Sequence, residues 1–427
     1  MNEPIFIARQ DTLEQEILPA HWLAQYKLFG EESYTFQDKE IWKKLCMSSA
    51  AANDRDMHAE ALEEMLTTFS AEHTGKWMLT VYGMDAAVLE GLASMAAIAA
   101  NGTAMAAVAG NALLMHAIAN SETAMQAISR SQTAMQRVAN STTAMDAIGG
   151  SKIARDAVQA SPHYNSYIKE NDMAIAKLVV GFANLASAGY SGMAGVAADA
   201  TAMNAVAASS TAMNAVAASS VARNAISASP YYDATIKEND MAIAKLVVGF
   251  ANLESARYSG CAGMAADSTA MTAVAASSTA MTAVAASGVA LKAIAQAYKN
   301  TANMLQFLKA VNASDTLVKR IYSTLTNATA LFGATQLGSQ DSVENANSWA
   351  TTSAAPNAFL ACACGYYDTR SNSVNVTYNG TVIAQNKTGT AKPGSVTSTN
   401  VNAITMAPST FTENGDGYLA VQKFTAK

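Results

Sequence analysis

With 427 residues, half of them hydrophobic and only 14% charged, the chain is long enough for several domains. Its net charge of -6 offers no basic footprint for nucleic acid, and no apolar run reaches the roughly 18 residues of a membrane-spanning helix. Four cysteines (Cys46, Cys261, Cys362, Cys364) are too few for a disulfide framework, and Cys362 and Cys364 are expected as small buried residues sharing one face of a strand.

The opening Met1-Asn2-Glu3-Pro4 lacks the basic and apolar regions of a signal peptide, which predicts synthesis in a cytoplasm without such export. Residues 1–82 carry Trp22, Trp42, Trp77 and most of the clustered acids, and predict a compact helical head read as an attachment module. Decapeptide repeats follow over residues 83–162, 191–230 and 259–298, written best as Thr-Ala-Met-x-Ala-Val-Ala-x-Ser-x. Met105, Met115, Met125, Met135 and Met145 stand ten apart, each with Val or Ile three residues later (Val108, Ile118, Ile128, Val138, Ile148).

Ten residues at about 100° each fall about 80° short of three full turns, so one continuous helix would wind this stripe steeply round its axis. The punctuation favours separate short helices instead. Gly110, Asn120, Arg130, Asn140 and Gly150 suit left-handed helix ends, and Asn111, Ser121, Ser131, Ser141, Ser151 and Ser161 suit N-caps. Each decad thus predicts a capped helix of about seven residues and a tight turn, with Pro162 and Pro230 at first helical positions. The predicted repeat core is Met105, Val108, Met125, Ile128, Met203, Val206, Met213, Val216, Met271 and Val274. The variable fourth position (His116, Gln126, Gln136, Asp146, Asn204, Asn214, Thr272, Thr282) is expected to face solvent. A solenoid of stacked helices and a coiled-coil-like bundle of several chains both accommodate this pattern.

A longer repeat lies over the decads. Ser161–Leu185 (SPHYNSYIKENDMAIAKLVVGFANL) returns as Ser229–Leu253 (SPYYDATIKENDMAIAKLVVGFANL), an offset of 68. The helical insert over 163–190 is thereby duplicated over 231–258, with Asp172 or Asp240 expected to cap a longer helix. Its apolar face is Ile175, Leu178, Val179, Phe182 and Leu185, repeated as Ile243, Leu246, Val247, Phe250 and Leu253. A helical linker over 299–342 carries an echo in Asp315, Val318, Ile321, Tyr322 and Leu325.

From residue 343 to 427 Thr, Val, Asn, Tyr and Gly replace Ala and Met, which predicts a small antiparallel β-sandwich as a tip. Phe359–Tyr367 reads as a strand, and Val374–Tyr378 and Thr381–Gln385 as a hairpin closed by Asn379-Gly380. Asn400–Met406 and Tyr418–Thr425 add strands, and Glu413-Asn414-Gly415-Asp416-Gly417, shorter than an EF-hand loop, reads as a turn. Trp349, Tyr366, Tyr367 and Tyr378 are the candidate receptor or partner contacts, with burial in the core as the competing reading. The expected fold is thus multidomain and mainly α with a C-terminal all-β domain.

The histidines (His21, His58, His73, His116, His163) form no metal-ligand or triad pattern, and no phosphate loop or dinucleotide fingerprint occurs. A non-enzymatic protein without metal or cofactor is expected. Tandem TAMxAVAxS units such as Thr201–Ser210 and Thr211–Ser220, between a short head and a β-rich C-terminal domain, resemble virion structural and tail-fibre proteins of tailed bacteriophages. That resemblance covers about half the chain and implies a homotrimer that is assembled in the host cytoplasm and incorporated into the virion. It further implies attachment to other virion proteins through the head, and contact with a bacterial surface glycan or protein through the β-domain. A purely structural virion component (collar, whisker or baseplate-associated), whose β-domain binds another virion protein, is the alternative.

Overall fold

The computed structural model describes residues 88, 92 and 94–427, apart from 93 and short segments at 342–347, 352–356, 367–372, 389–394, 407–408 and 415–416. The expected head over 1–82, with Trp22, Trp42 and Trp77, lies outside the described residues, as does Tyr367. The chain is mainly helical, with a C-terminal antiparallel β region of two sheets, and divides into two compact units, Met1–Val206 and Ala207–Lys427.

The first unit contains α1 (Met95–Ala100), α2 (Gly102–Gly110), α3 (Ala112–Ala119), α4 (Glu122–Arg130), α5 (Gln132–Ala139), α6 (Thr142–Gly150) and α7 (Lys152–Gln159). The insert follows as the short α8 (Tyr164–Tyr167) and α9 (Asp172–Phe182); the decads resume with α10 (Met193–Ala197), and α11 (Ala200–Ala208) contains the division between units. From α2 to α7 the decad helices are eight or nine residues long, because the turn between them is shorter than the sequence suggests. Asn111, Ser131 and Ser151 each end one helix and cap the next from a single extended residue, Ser131 at φ -96, ψ 120. Gly110 and Gly150 are ordinary last helical residues, and among the described residues the decad joints contain no left-handed residue. Left-handed asparagines close the insert helices instead, Asn184 at φ 58 and Asn252 at φ 57. Pro162 also departs from expectation, standing in the turn before α8 rather than at a first helical position.

One extended residue bends the chain sharply: α2 and α3 meet at 99°. After three such corners the chain lies against itself, so that α1 packs on α4, α2 on α5, α3 on α6, α4 on α7 and α6 on α9. Met105, Val108, Met125, Ile128, Met203 and Val206 are fully buried within this single chain.

The same step governs the second unit. There α12 (Ser210–Ala218), α13 (Ser220–Ser227), α14 (Tyr232–Thr235), α15 (Asp240–Phe250), α16 (Cys261–Ala266), α17 (Ser268–Ala276), α18 (Ser278–Ala286), α19 (Gly288–Gln296), α20 (Thr301–Asn312) and α21 (Asp315–Asn327) follow in order. Helix α12 packs on α15, α15 on α18, α16 on α19, α17 on α20 and α18 on α21, again burying Met213, Val216, Met271 and Val274. The echo in the linker is real packing, since Val318, Ile321, Tyr322 and Leu325 are the buried face of α21.

Eight strands follow among the described residues: β1 (Phe332–Asp341), β2 (Ser348–Thr351), β3 (Ala358–Tyr366), β4 (Ser373–Tyr378), β5 (Thr381–Thr388), β6 (Ala403–Met406), β7 (Ser409–Asn414) and β8 (Gly417–Ala426). They form antiparallel sheets ordered β1-β8-β3-β6 and β2-β7-β4-β5. The β4–β5 hairpin turns on Asn379 (φ 49) and Gly380 (φ 77), the left-handed pair that a two-residue hairpin turn demands. The β region starts at Phe332, eleven residues before the expected boundary at 343, so the expected helical linker 299–342 contains the whole of β1.

This region shares its core with the helices before it. One continuous hydrophobic cluster runs from Ile243 on α15 to Ala426 on β8. Phe359 on β3 meets both Phe307 of α20, at 6.3 Å between ring centroids, and Phe332 of β1, at 6.4 Å. The Asn312 side chain pairs with β6 as a strand would, donating to Ile404 O (2.8 Å) and accepting from Ile404 N (3.0 Å). It thereby covers backbone groups that an edge strand leaves open. Tyr322 Oη donates to Val396 O at 2.6 Å.

Candidate functional site

Two kinds of polar site stand out, and the first is built from serine. Ser131 Oγ accepts from Ala134 N at 3.2 Å, capping α5, and donates to Ala99 O of α1 at 2.6 Å. Ser141 repeats this on Ala144 N and Ala109 O, and Ser151 on Ala154 N and Ala119 O. Each hydroxyl therefore satisfies a free amide of its own helix and a terminal carbonyl of the helix below, 32 residues earlier. Asparagine also carries both a donor and an acceptor, and Asn171 and Asn239 do the same on Ala139 O and Ala207 O. Aspartate only accepts. Where Asp267 caps α17 its carboxylate takes the Tyr258 hydroxyl at 2.8 Å, which holds its pKa below the usual carboxylate range.

The second site is duplicated at the offset of 68. Lys177 on α9 is fully buried, its ammonium donating to Asp146 Oδ1 of α6 (2.5 Å) and to Ser187 O (3.2 Å), while Ser187 Oγ lies 3.0 Å from the same carboxylate oxygen. Lys245 on α15 is 1% exposed and donates to Asn214 Oδ1 of α12 (2.7 Å) and Ser255 O (3.0 Å), with Ser255 Oγ on Asn214 Oδ1 at 2.9 Å. The first lysine has a counter-charge and the second a neutral carboxamide. Burial accordingly pushes the Lys245 pKa below its ordinary value.

Small residues allow the lysine helices to come this close. A side chain on Gly181 would overlap Gly149 O, and one on Gly249 would lie 2.5 Å from Ala217 O. Around each node the remaining contacts repeat as well. Arg155 stacks over Phe182 and Arg223 over Phe250, each at 5.7 Å. Asp172 is not a cap, because Asn171 takes that role; its carboxylate accepts from Met193 N, as Asp240 does from Cys261 N.

Asp146 and Asn214 had been expected to face solvent with the other fourth-position residues, and the buried lysines draw them inward instead. The signal was a lysine at the centre of the apolar DMAIAKLVVGF helix. Chemically, these nodes hold helices together through the contacts of the lysine ammonium and the serine hydroxyl.

Tyr378 is buried, 2% exposed, as the inward end of the alternating pattern of β4, because it follows Val374 and Val376 on the core face. It is therefore a core residue and not a contact. Trp349 stands on β2 opposite Phe411, and Tyr366 ends β3 opposite Gly417. Cys362 and Cys364 are buried, as is Cys261, and burial pushes the Cys362 thiol pKa up. No cluster of His, Cys, Asp and Glu arranged for a metal occurs among the described residues. No family model matches the chain, and no curated protein matches it.

Proposed function

We propose that this chain is a structural and adhesive component of a bacteriophage virion: an attachment head, a solenoid of short helices, and a C-terminal β region that meets a host surface. The observation that carries the structural reading is the recurring serine tie, by which α5, α6 and α7 are each fastened to the fourth helix before them. Such ties serve a framework. Burial of Met105, Met213, Met271 and their Val or Ile partners within one chain supports a solenoid over a coiled coil, because no partner chain is needed to cover the stripe. The homotrimer implied by the resemblance would then depend on contacts outside the repeat core.

The virion assignment rests on the TAMxAVAxS repeats and on the change from helices to a β region. Burial of Tyr378 removes one ring from any glycan-stacking platform and favours the alternative, in which the β region binds another virion protein. A fluorescent full-length chain offered to bacterial cells and to disrupted phage particles separates the two. Binding to cells supports host recognition, binding only to particles supports an architectural role, and binding to neither overturns both.

A further inference from the structure

The contacts around the two buried lysines repeat with fixed sequence separations. Lysine and its side-chain partner are 31 residues apart in both copies, the serine hydroxyl and that partner 41, and the arginine and its carbonyl 6. The insert aspartate and the amide it accepts from are 21 apart in both, and the tyrosine and the capping aspartate 9. All these partners are near in sequence. From α9 to the residue before α15 there are six helices, twice the three-helix step that recurs inside each unit. Residues 168–185 and 236–253 are identical, so removal of residues 172–239 joins Asn171 to Asp240 without changing the sequence on either side of the joint.

We propose that residues 172–239 form an exchangeable cassette: the helical array can lose or gain this block as a unit, and on its removal Lys245 takes Asp146 as its partner. Each surviving contact then has its counterpart at the right separation, with Arg155 standing over Phe250 and Gly149 facing Gly249 in place of Ala217. The cassette sets the length of the array in steps that keep the phase of the helix stacking. Nearest-neighbour construction of this kind makes repeat number a free variable, whereas a globular core would not survive such a loss. This inference rests on the contacts alone and is independent of the virion assignment.

The test uses three full chains: one lacking residues 172–239, one carrying that block twice, and one lacking 172–234, which breaks the phase. The first two are expected to melt cooperatively within a few degrees of the parent, with unchanged helical signal per residue, and the third to lose its cooperative transition. In the shortened chain Asp146→Ala and Lys245→Met are expected to be non-additive, since the two residues now touch, while in the parent they add. Collapse of the in-phase deletion, equal behaviour of the in-phase and out-of-phase deletions, or additivity in the shortened chain would each overturn the proposal.

Discussion

A hydroxyl that both gives and accepts a hydrogen bond explains why serine recurs at the decad joints. Ser141→Ala removes the cap on Ala144 N and strands the nearly buried Ala109 carbonyl, at a cost of about 1–3 kcal/mol. Ser141→Asn keeps both functions, as Asn171 does, and is expected to lose about 1 kcal/mol or less. Thermal melting of both variants distinguishes a two-sided tie from a simple cap. The neighbouring glycines of α6 make a second contrast. A Cβ at Gly149 would stand 2.8 Å from Ser187 Oγ and 2.9 Å from Lys177 O, so Gly149→Ala must push α6 from α9 and costs about 1–3 kcal/mol. At Gly150 a Cβ meets nothing within 4 Å, and Gly150→Ala gains about 0.5 kcal/mol from helix propensity. The opposite signs in adjacent residues are read from denaturation midpoints.

Between elements, the decisive contact is the lysine of one helix on the helix three steps earlier. Asn214→Asp gives Lys245 the carboxylate that Lys177 already has in Asp146, and is expected to raise the melting temperature. The reverse change, Asp146→Asn, lowers it by leaving the buried Lys177 without counter-charge. The pH dependence follows from the direction of the Lys245 shift. Because its folded pKa lies below the ordinary 10.5, the unfolded chain binds more protons between the two values. This group therefore destabilises the fold fully below its folded pKa, and stability rises with pH towards 10.5. Comparing the parent with Lys245→Met across alkaline pH isolates that slope, which the variant should lack. The capped short helices and the Asn379-Gly380 hairpin were legible in the sequence because their signals lie within a few residues. The donor role of serine was not, since its acceptor lies 32 residues away and appears only when the chain has wound back. Nor was β1, whose Gly-containing FGATQLGSQD lacks alternation and breaks register between Gln336 and Gly338.

At the scale of the molecule, the boundary that composition placed at 343 separates residues that fold together. Cutting there removes β1 from its place beside β8 and takes away α20 and α21, whose Phe307, Asn312 and Tyr322 complete the β region. Phe359 and Phe424 would be exposed by the loss of those faces, and the backbone of β6 would lose the Asn312 amide that covers it. Burial of two such rings contributes about 3–6 kcal/mol, a large fraction of the stability of a domain this small. Residues 343–427 expressed alone are therefore expected to give an unfolded or aggregating polypeptide. Residues 207–427, the whole second unit, restore β1, both helices and the helices they pack on, and should show dispersed amide signals and resist limited proteolysis. Were the shorter fragment to fold equally well, the β region would be an independent tip after all, and the continuous core would not be what holds it.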